Sequence, residues 1–375
     1  MKVYLDNSAT TPMDPEVFEA MKPYFMDNYG NPSSIHSHGR QARSSIEKCR
    51  KQIADLLNTS PAEIFFTSGG TEADNTAICS SIESLGVKRA ITSKLEHHAV
   101  LHTLEYLAKQ NRVELKFVDI DPEGRIDINH LESLLQETPS FVSLMHANNE
   151  IGNLNDIQVI GELVKNNKGY FHSDTVQAMG KYEHDLSQLK ADFIVGAAHK
   201  IYGPKGCGFL YINHETKINP FIHGGAQERN MRGGTENVAG IVGLTKALEI
   251  SYRDMDKNRK HISALKEQML AGLKEKISGA TFNGLSGNME QSLYSVINVG
   301  LPATDENDML LFNLDIKGIS ASGGSACASG SNIGSHVLTA LGVDPERGAI
   351  RFSFSKYTKP EEVDYAVDAL AELMN

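Results

Sequence analysis

One lysine has the surroundings of a reactive amine. Lys200 follows an apolar run over residues 193–198 and precedes a Gly-Pro-Lys-Gly turn. This pattern predicts a lysine at the mouth of a buried strand, where loss of hydration favours the neutral, nucleophilic amine. The alternative interpretation is a hydrated lysine that opens a loop. Asp174 and Gln177 favour the reactive interpretation, because they lie at the end of a second apolar run that begins at Tyr170.

A glycine turn upstream has the composition of an anion site. It follows a strand-like run over 64–67 and leads into a helical pattern at Glu72. The first N–H groups of a helix and the positive end of its dipole attract anions. The hydroxyl of Thr71, beside Gly70, can add one hydrogen bond. The same Gly-Gly-Thr-Glu sequence is also an ordinary helix cap, and it matches neither Gly-x-Gly-x-x-Gly nor a Walker A sequence.

Together these parts form the set that pyridoxal phosphate requires: a lysine for a Schiff base, a phosphate site and a carboxylate at the pyridine nitrogen. Lys200 fits the first role and Asp174 the last. Gln177 could donate a hydrogen bond to the phenolate oxygen. His97 could stack on the ring, although a lone histidine is more often structural.

These residues need a sheet to position them. Short β-branched runs alternate with helical patterns through the first two-thirds of the chain, which predicts an α/β domain with a mostly parallel sheet. Ligands of such sheets bind beyond the carboxyl ends of the strands, where the candidate residues lie. The predicted strands are 64–67, 89–92, 115–118, 141–145, 169–172 and 192–195, and the predicted helices include 44–58, 72–85 and 157–167.

The last third of the chain predicts a second, smaller α/β unit. A long amphipathic pattern from Asn237 to about Lys276 is predicted to leave the first domain. Strand-like runs follow at 294–299, 318–321 and 349–354, and a final helical pattern covers 360–374. We therefore expect a large cofactor-binding domain over 13–255, and a small domain formed by 1–12 and 256–375 that carries a loop at about 320–335.

Composition excludes several classes of protein. A length of 375 residues suggests two domains. With 36 Lys and Arg against 47 Asp and Glu, a broad nucleic-acid surface is not expected. No apolar segment suits a secretion signal or a membrane span. The four cysteines are far apart, which disfavours disulfides and a metal site and is typical of a reducing cytoplasm.

One cysteine differs from the others in its neighbours. Cys327 lies in a run of small residues, 322–331, which can bury little surface and is predicted to be mobile. Free cysteines are usually small buried hydrophobes, and Cys49, Cys79 and Cys207 lie in apolar patterns of that kind. The contrast favours a reactive thiol at Cys327.

The chain resembles the cysteine desulfurases of the class V aminotransferase family, which have fold type I of the pyridoxal-phosphate enzymes. The resemblance covers essentially the full length and implies an α/β fold, with a mostly parallel seven-stranded sheet in the large domain and a smaller C-terminal α/β domain. It also implies a homodimer. It rests on the segments 4–12, 30–34, 145–152, 199–200, 231–235 and 325–327.

The resemblance implies a role for each candidate residue. Lys200 would carry the Schiff base, Asp174 would pair with the pyridinium, and Gln177 would contact the phenolate oxygen. His97 would stack on the ring and shuttle protons. The phosphate would be held by Gly70, Thr71 and His199, with Thr235 from the partner subunit, and the substrate carboxylate by Asn149 and Arg351.

The implied reaction removes sulfur from L-cysteine, releases L-alanine and leaves a persulfide on Cys327. The sulfur then passes to an acceptor, either an iron–sulfur scaffold protein or a relay for tRNA thiolation. The alternatives are a selenocysteine lyase, or a class V aminotransferase in which Cys327 is incidental. Ala197 replaces the serine that the family usually has three residues before the lysine. We expect this loss of a hydroxyl to weaken phosphate binding by about 0.5–1.5 kcal/mol.

Overall fold

The computed structural model describes residues 1–136, 138–304, 307–323 and 334–374. Cys327 lies outside these described residues. The helices are α1 (Pro15–Met26), α2 (Ser37–Leu56), α3 (Gly70–Ser84), α4 (His98–Lys109), α5 (Ile128–Leu135), α6 (Ile157–Asn166), α7 (Val238–Arg253), α8 (Met255–Lys276), α9 (Leu310–Ile316), α10 (His336–Ala340) and α11 (Pro360–Met374). The strands are β1 (Val3–Tyr4), β2 (Ile64–Thr67), β3 (Arg89–Thr92), β4 (Glu114–Phe117), β5 (Ser140–Ser143), β6 (Tyr170–Asp174), β7 (Phe193–Ala197), β8 (Gly208–Ile212), β9 (Thr281–Phe282), β10 (Val296–Ala303), β11 (Ile319–Ser320) and β12 (Arg347–Ser353).

A seven-stranded sheet organises the first two-thirds of the chain, in the order β2-β8-β7-β6-β5-β3-β4. Neighbouring strands from β7 to β4 run parallel, and β8 is antiparallel to both β2 and β7. The predicted α/β fold with a mostly parallel sheet is confirmed. The predicted strands correspond to β2 through β7, whereas β8 was not predicted.

Both faces of this sheet are buried, as expected for strands that helices cover on both sides. Side chains alternate between the faces along each strand. Ile91, Val142 and Phe171 belong to one apolar core. Their sequence neighbours Ala90 and Phe141 belong to the core on the opposite face. The strands that lead to the cleft described below are therefore packed against apolar side chains on both faces.

A third apolar core lies in the last third of the chain. It packs α8 and α11 against the antiparallel sheet β12-β10-β9, and it includes Val3 and Leu5 from the N-terminal segment. The separate cores support the division that the sequence suggested near residue 255, which stays a prediction.

The amphipathic stretch from Asn237 to about Lys276 is helical but is not one continuous helix. Two helices occupy this stretch, and they meet at Asp254, whose backbone (φ −106°, ψ 13°) leaves the helical region. The Asp254 carboxylate pairs with Arg253. The break is required by packing, because α7 lies against α1 and α2 whereas α8 lies against α11.

The N-terminal segment connects the two ends of the chain. β1 pairs in parallel with β11. The amide of Ser353 then donates to the carbonyl of Leu5 at 2.7 Å, and the amide of Thr11 donates to the carbonyl of His199 at 2.9 Å. The N-terminal segment therefore bridges the C-terminal sheets and the end of β7. The turn at residues 8–9 lies between these two attachments.

Candidate active site

A cleft of about 240 Å³ opens beyond the carboxyl ends of β6 and β7. Its position agrees with the rule that α/β sheets bind ligands at this edge. Predicted site residues that line it are Gly70, Thr71, His97, Asn149, Asp174, Gln177, His199, Lys200 and Arg351.

Lys200 ends the short helical turn that follows β7. Its Nζ donates to the backbone oxygens of Ser8 and Ala9, the second at 2.9 Å. The turn that supplies these oxygens is itself fixed, because the amide of Ser8 donates to Ser353 Oγ at 2.8 Å. The amine is therefore held at the cleft by backbone groups on the N-terminal segment.

Asp174 is the last residue of β6 and is 7% exposed. Its Oδ1 accepts a hydrogen bond from the amide of Val176 at 2.9 Å. Burial raises the pKa of this carboxyl, against the opposing effects of the Val176 amide and the Lys200 charge. Gln177 is also buried and donates from Nε2 to the Ser8 carbonyl at 2.9 Å. A cation placed beside Asp174 would hold its carboxyl in the ionised form.

The glycine turn begins α3 at Gly70, two residues before the predicted helix start at Glu72. Gly69 has a positive φ of 153°, which favours glycine. A Cβ on Gly70 would lie 2.9 Å from Val176 Cγ2, so a side chain there would require Val176 to move. No side chain caps this helix, and its first N–H groups have no acceptor inside the helix. The turn can therefore accept an anion such as a phosphate group.

Two histidines of the cleft are neutral at ordinary pH. Burial and the nearby Lys200 charge lower the pKa of His97 to about 4, with smaller effects of other histidines, and lower that of His199 to about 4. His97 caps α4, and its Nδ1 accepts from the amide of Ala99 at 3.2 Å. The proton of the neutral ring is therefore on Nε2, which makes His97 a hydrogen-bond donor. His199 Nδ1 lies 3.3 Å from Thr10 Oγ1.

Arg351 lies on β12, which is an edge strand, yet it is only 1% exposed. Its terminal nitrogens donate to Asp6 Oδ1 at 2.7 Å and to the carbonyl of Asn149 at 3.0 Å. The buried Nε has no hydrogen-bond partner among the described residues. An unmatched buried donor is unfavourable, and a carboxylate in the cleft is one group that would satisfy it.

Among the described residues, one predicted site residue does not line this cleft. Thr235 is exposed and borders a separate cavity of about 130 Å³ together with Arg232 and Glu236. Cys327 falls outside the described residues. Ala197, which replaces the family's serine, does line the cleft and is 2% exposed.

Sequence reasoning missed several residues that border the cleft, among them Ser8, Ala9 and Asp74. Ser8 and Ala9 act through backbone oxygens, which no residue type reveals. Asp74 lies three residues after Thr71, and this spacing places both on one face of α3. That spacing was the available signal for Asp74.

The cysteines that the structure describes are poor nucleophiles. Burial raises the pKa of the Cys49 and Cys79 thiols and raises that of Cys207 to about 12. Within the described ranges, no three His, Cys, Asp or Glu side chains are grouped to hold a metal ion. Over the same ranges no helix has the length and apolar character that crossing a bilayer requires.

Several known proteins are similar to this chain in sequence and in fold. The family model for aminotransferase class-V matches residues 3–366. A protein of Dictyoglomus turgidum named cysteine desulfurase IscS is 43% identical over 377 residues, which cover 100% of this chain and 94% of that protein.

Solved structures agree with this comparison. A NifS-like protein superposes with a TM-score of 0.91 at 37% identity and covers 100% of this chain and 99% of its own. A structure described as SspA in complex with cysteine has a TM-score of 0.82 at 30% identity and covers 96% of this chain and 100% of its own. On this similarity in sequence and in fold, the chain belongs to the class-V aminotransferase family and, within it, to the cysteine desulfurases.

Proposed function

We propose that the chain removes sulfur from L-cysteine with pyridoxal 5′-phosphate as its cofactor. The observation that carries the proposal is the meeting of three groups in one cleft: the buried carboxyl of Asp174, the amine of Lys200 and the uncapped helix start at Gly70. The relatives are named for sulfur removal, which favours this activity over amine transfer and over cleavage of selenocysteine.

The cleft fits the cofactor at both ends. The first amides of α3, with Thr71 and His199, would hold the phosphate, and the glycine at position 70 leaves the space that a Cβ would fill. Asp174 would pair with the protonated pyridine nitrogen. Gln177 would donate to the phenolate oxygen. Bound in this way, the cofactor supplies an electron sink for the negative charge that develops at the substrate Cα.

Lys200 is the proposed base. The two backbone oxygens that accept from its Nζ hold the amine at the cleft when no substrate is present. When the substrate is bound, Nζ would take the proton from the substrate Cα and return it during turnover. His97 would pack over the cofactor ring and donate a hydrogen bond from Nε2, because its neutral state and its bond from the Ala99 amide favour a donor over a base.

Arg351 and Asn149 are the proposed site for the substrate carboxylate. The contacts to Asp6 and to the Asn149 carbonyl fix the guanidinium plane before the substrate arrives. Pre-organised arginine binds a carboxylate strongly because its planar donors match the two oxygens. The unmatched Nε supplies the donor for this contact.

Cys327 is the proposed sulfur acceptor. The other cysteines have raised pKa values and stay protonated near neutral pH. The Cys327 thiolate would attack the substrate sulfur and form an S–S bond as the carbon–sulfur bond breaks. The electron pair of the broken bond remains with the carbon fragment, which takes up protons and leaves as L-alanine.

The partners follow from this chemistry. The persulfide sulfur would pass to an iron–sulfur scaffold protein or to a relay for tRNA thiolation. Thr235 borders a separate cavity and does not line the cleft of its own chain, which supports a homodimer in which it would serve the partner's phosphate. Widely spaced free cysteines support a reducing cytoplasm as the location.

The decisive experiment is turnover of L-cysteine by the purified protein. We expect a yellow chromophore that borohydride bleaches, and equal amounts of alanine and sulfide when a thiol reductant is present. Cys327→Ala should abolish sulfide release, whereas the control Cys79→Ala should retain it. Sulfide release that survives Cys327→Ala would exclude the persulfide route, and a colourless protein that does not take up pyridoxal phosphate would exclude the cofactor.

A further inference from the structure

A second carboxyl, Asp74, borders the cleft and has no part in the function proposed above. It lies in the second turn of α3 and is only 1% exposed. Its Oδ1 makes no regular hydrogen bond with the described residues. The same atom lies 3.3 Å from Nε2 of His172, which is also without a regular hydrogen bond there. Two unmatched polar atoms therefore face each other in a fully buried position.

The other nitrogen of His172 is already engaged. Nδ1 lies 2.8 Å from Ser143 Oγ, and both residues are 0% exposed. Burial lowers the pKa of His172 to about 3, so the ring is neutral. A neutral imidazole carries one proton. With that proton on Nδ1 and donated to Ser143, Nε2 is left as an acceptor that lies 3.3 Å from Asp74 Oδ1.

The charges around Asp74 oppose its ionisation. Asp174 lies at the end of β6 and Glu96 just before α4, and both are buried. Burial, then the charges of Asp174 and Glu96, raise the pKa of Asp74 well above its usual range. Neighbouring buried carboxyls do not ionise together, because like charges in an apolar site repel strongly. Of the three, Asp174 has the Lys200 charge to favour its ionised form.

We propose that Asp74 is held as a protonated carboxylic acid that donates its O–H to Nε2 of His172, so that Asp174 is the single anion at this end of the cleft. Asp74 is in this sense a positioning residue: it acts on the cleft through Asp174 and His172. The proton stays on Asp74 Oδ1, His172 keeps its own proton on Nδ1, and no net charge is added to the buried network.

The consequence concerns the cation that the cleft receives. This part of the inference rests on the proposed function, in which Asp174 meets a protonated pyridine nitrogen. The negative charge of Asp174 and the positive charge of the pyridine nitrogen would then balance each other in this buried site. A second ionised carboxyl would raise the pKa of Asp174 and weaken that pairing.

The protonation state can be measured without cofactor or substrate. In infrared spectra of the apo protein at pH 7, the wild type minus Asp74→Asn difference should show the carbonyl stretch of a protonated carboxylic acid. A difference that shows carboxylate bands instead would overturn the proposal. Asp74→Asn preserves the size and a donor to His172, so it is expected to fold, and near-ultraviolet circular dichroism checks this.

Glu96→Gln is the matched control, since Glu96 is equally buried but its carboxylate accepts a hydrogen bond from the Met145 amide. The nitrogen chemical shifts of His172 should report a neutral ring protonated on Nδ1 in the wild type and in Glu96→Gln. Asp74→Ala should shift the Nε2 signal, because it removes the O–H donor. An Nε2 signal that does not respond to Asp74→Ala would overturn the proposed hydrogen bond.

Cofactor binding tests the consequence. Titration with pyridoxal phosphate should show Asp74→Asn within about threefold of the wild-type dissociation constant and Asp174→Asn weaker by about tenfold or more. Equal losses in the two variants would mean that Asp74 is also ionised and would overturn the proposal. A wild-type protein that binds no pyridoxal phosphate would contradict the proposed function alone, because the infrared result stands without it.

Discussion

Two buried carboxylates of the same sheet region have opposite surroundings. Glu228 is 4% exposed. Its carboxylate accepts hydrogen bonds from both terminal nitrogens of Arg50 and from the amide of Phe66, each at 2.8 Å. Asp174 is 7% exposed, and among the described residues its carboxylate accepts one hydrogen bond, from the Val176 amide. Glu228 has its cation built into the chain, whereas Asp174 faces a cleft.

The difference separates a structural charge from a functional one. Removing one member of a closed ion pair such as Glu228–Arg50 leaves an unmatched buried charge, so the pair is sensitive to mutation. Within the described part of the chain no salt bridge of this kind is formed by Asp174, and burial raises the pKa of its carboxyl. A site that leaves a buried carboxyl under-compensated is suited to a ligand that brings the missing positive charge.

The largest expected effect is a loss of activity on mutation of Lys200 in the cleft. Lys200→Ala should lower the rate of alanine formation by at least about 10⁴-fold, because it removes both the nucleophilic amine and the base. The free energy of unfolding in urea should change by less than about 1 kcal/mol, since the hydrogen bonds from Nζ to the Ser8 and Ala9 carbonyls lie at the edge of the cleft. Retained turnover would show that another group is the base.

At the structural ion pair of Glu228 and Arg50, mutation should lower stability and leave activity almost unchanged. Glu228→Gln should lower the free energy of unfolding by about 3–5 kcal/mol, because Arg50 would keep a buried charge without its partner. Activity per folded molecule should stay within about twofold. The double variant Arg50→Met, Glu228→Leu is the control and should recover most of the stability, since it removes both charges. A Glu228→Gln protein as stable as the wild type would show that this carboxylate does not stabilise the fold.

Acid should destabilise the native structure through buried histidines outside the cleft. Burial and the neighbouring His146 lower the pKa of His184 to about 3, against about 6.5 in the unfolded chain. Between these values the unfolded chain binds one more proton at this position, so the free energy of unfolding falls as pH falls. In urea unfolding between pH 6 and 4, His184→Asn should make the slope shallower by about 1.4 kcal/mol per pH unit. An unchanged slope would mean that His184 is protonated in the native state.

The smallest expected effect tests the departure at Ala197. Ala197→Ser should strengthen retention of pyridoxal phosphate by about 0.5–1.5 kcal/mol, because the new hydroxyl can donate to the phosphate. Dialysis followed by absorbance measures the bound fraction. The control Ala198→Ser changes a buried neighbour that does not line the cleft and should not improve retention. Weaker retention in Ala197→Ser would show that the position is too crowded for a hydroxyl.

Much of the fold was predictable, because the parallel strands are continuous apolar runs and their helices have clear periodicity. The final helix, Pro360–Met374, was predicted with both ends correct. The order of strands in the sheet depends on long-range packing and was not readable. The antiparallel β8 was missed because it follows the Lys200 turn so closely that the run looked like part of one loop.

The chemistry of the cleft was predictable where it depends on side-chain type, as for Asp174 and Lys200. It was not predictable where backbone carbonyl oxygens form the contact, as at Ser8 and Ala9. Asp74 was missed for a different reason. Its burial depends on the sheet behind α3, and a charged residue within a helical pattern ordinarily faces solvent.

The N-terminal segment has a consequence for synthesis on the ribosome. Val3 pairs with Ile319, and the turn that holds Lys200 is anchored by Ser353. The large sheet can form while the chain is still emerging, since domains generally fold as units during translation. The amine of Lys200 cannot be anchored in the observed way until residue 353 has left the exit tunnel. A nascent chain therefore carries an incomplete cleft for most of its synthesis, and competence for chemistry arrives at the end.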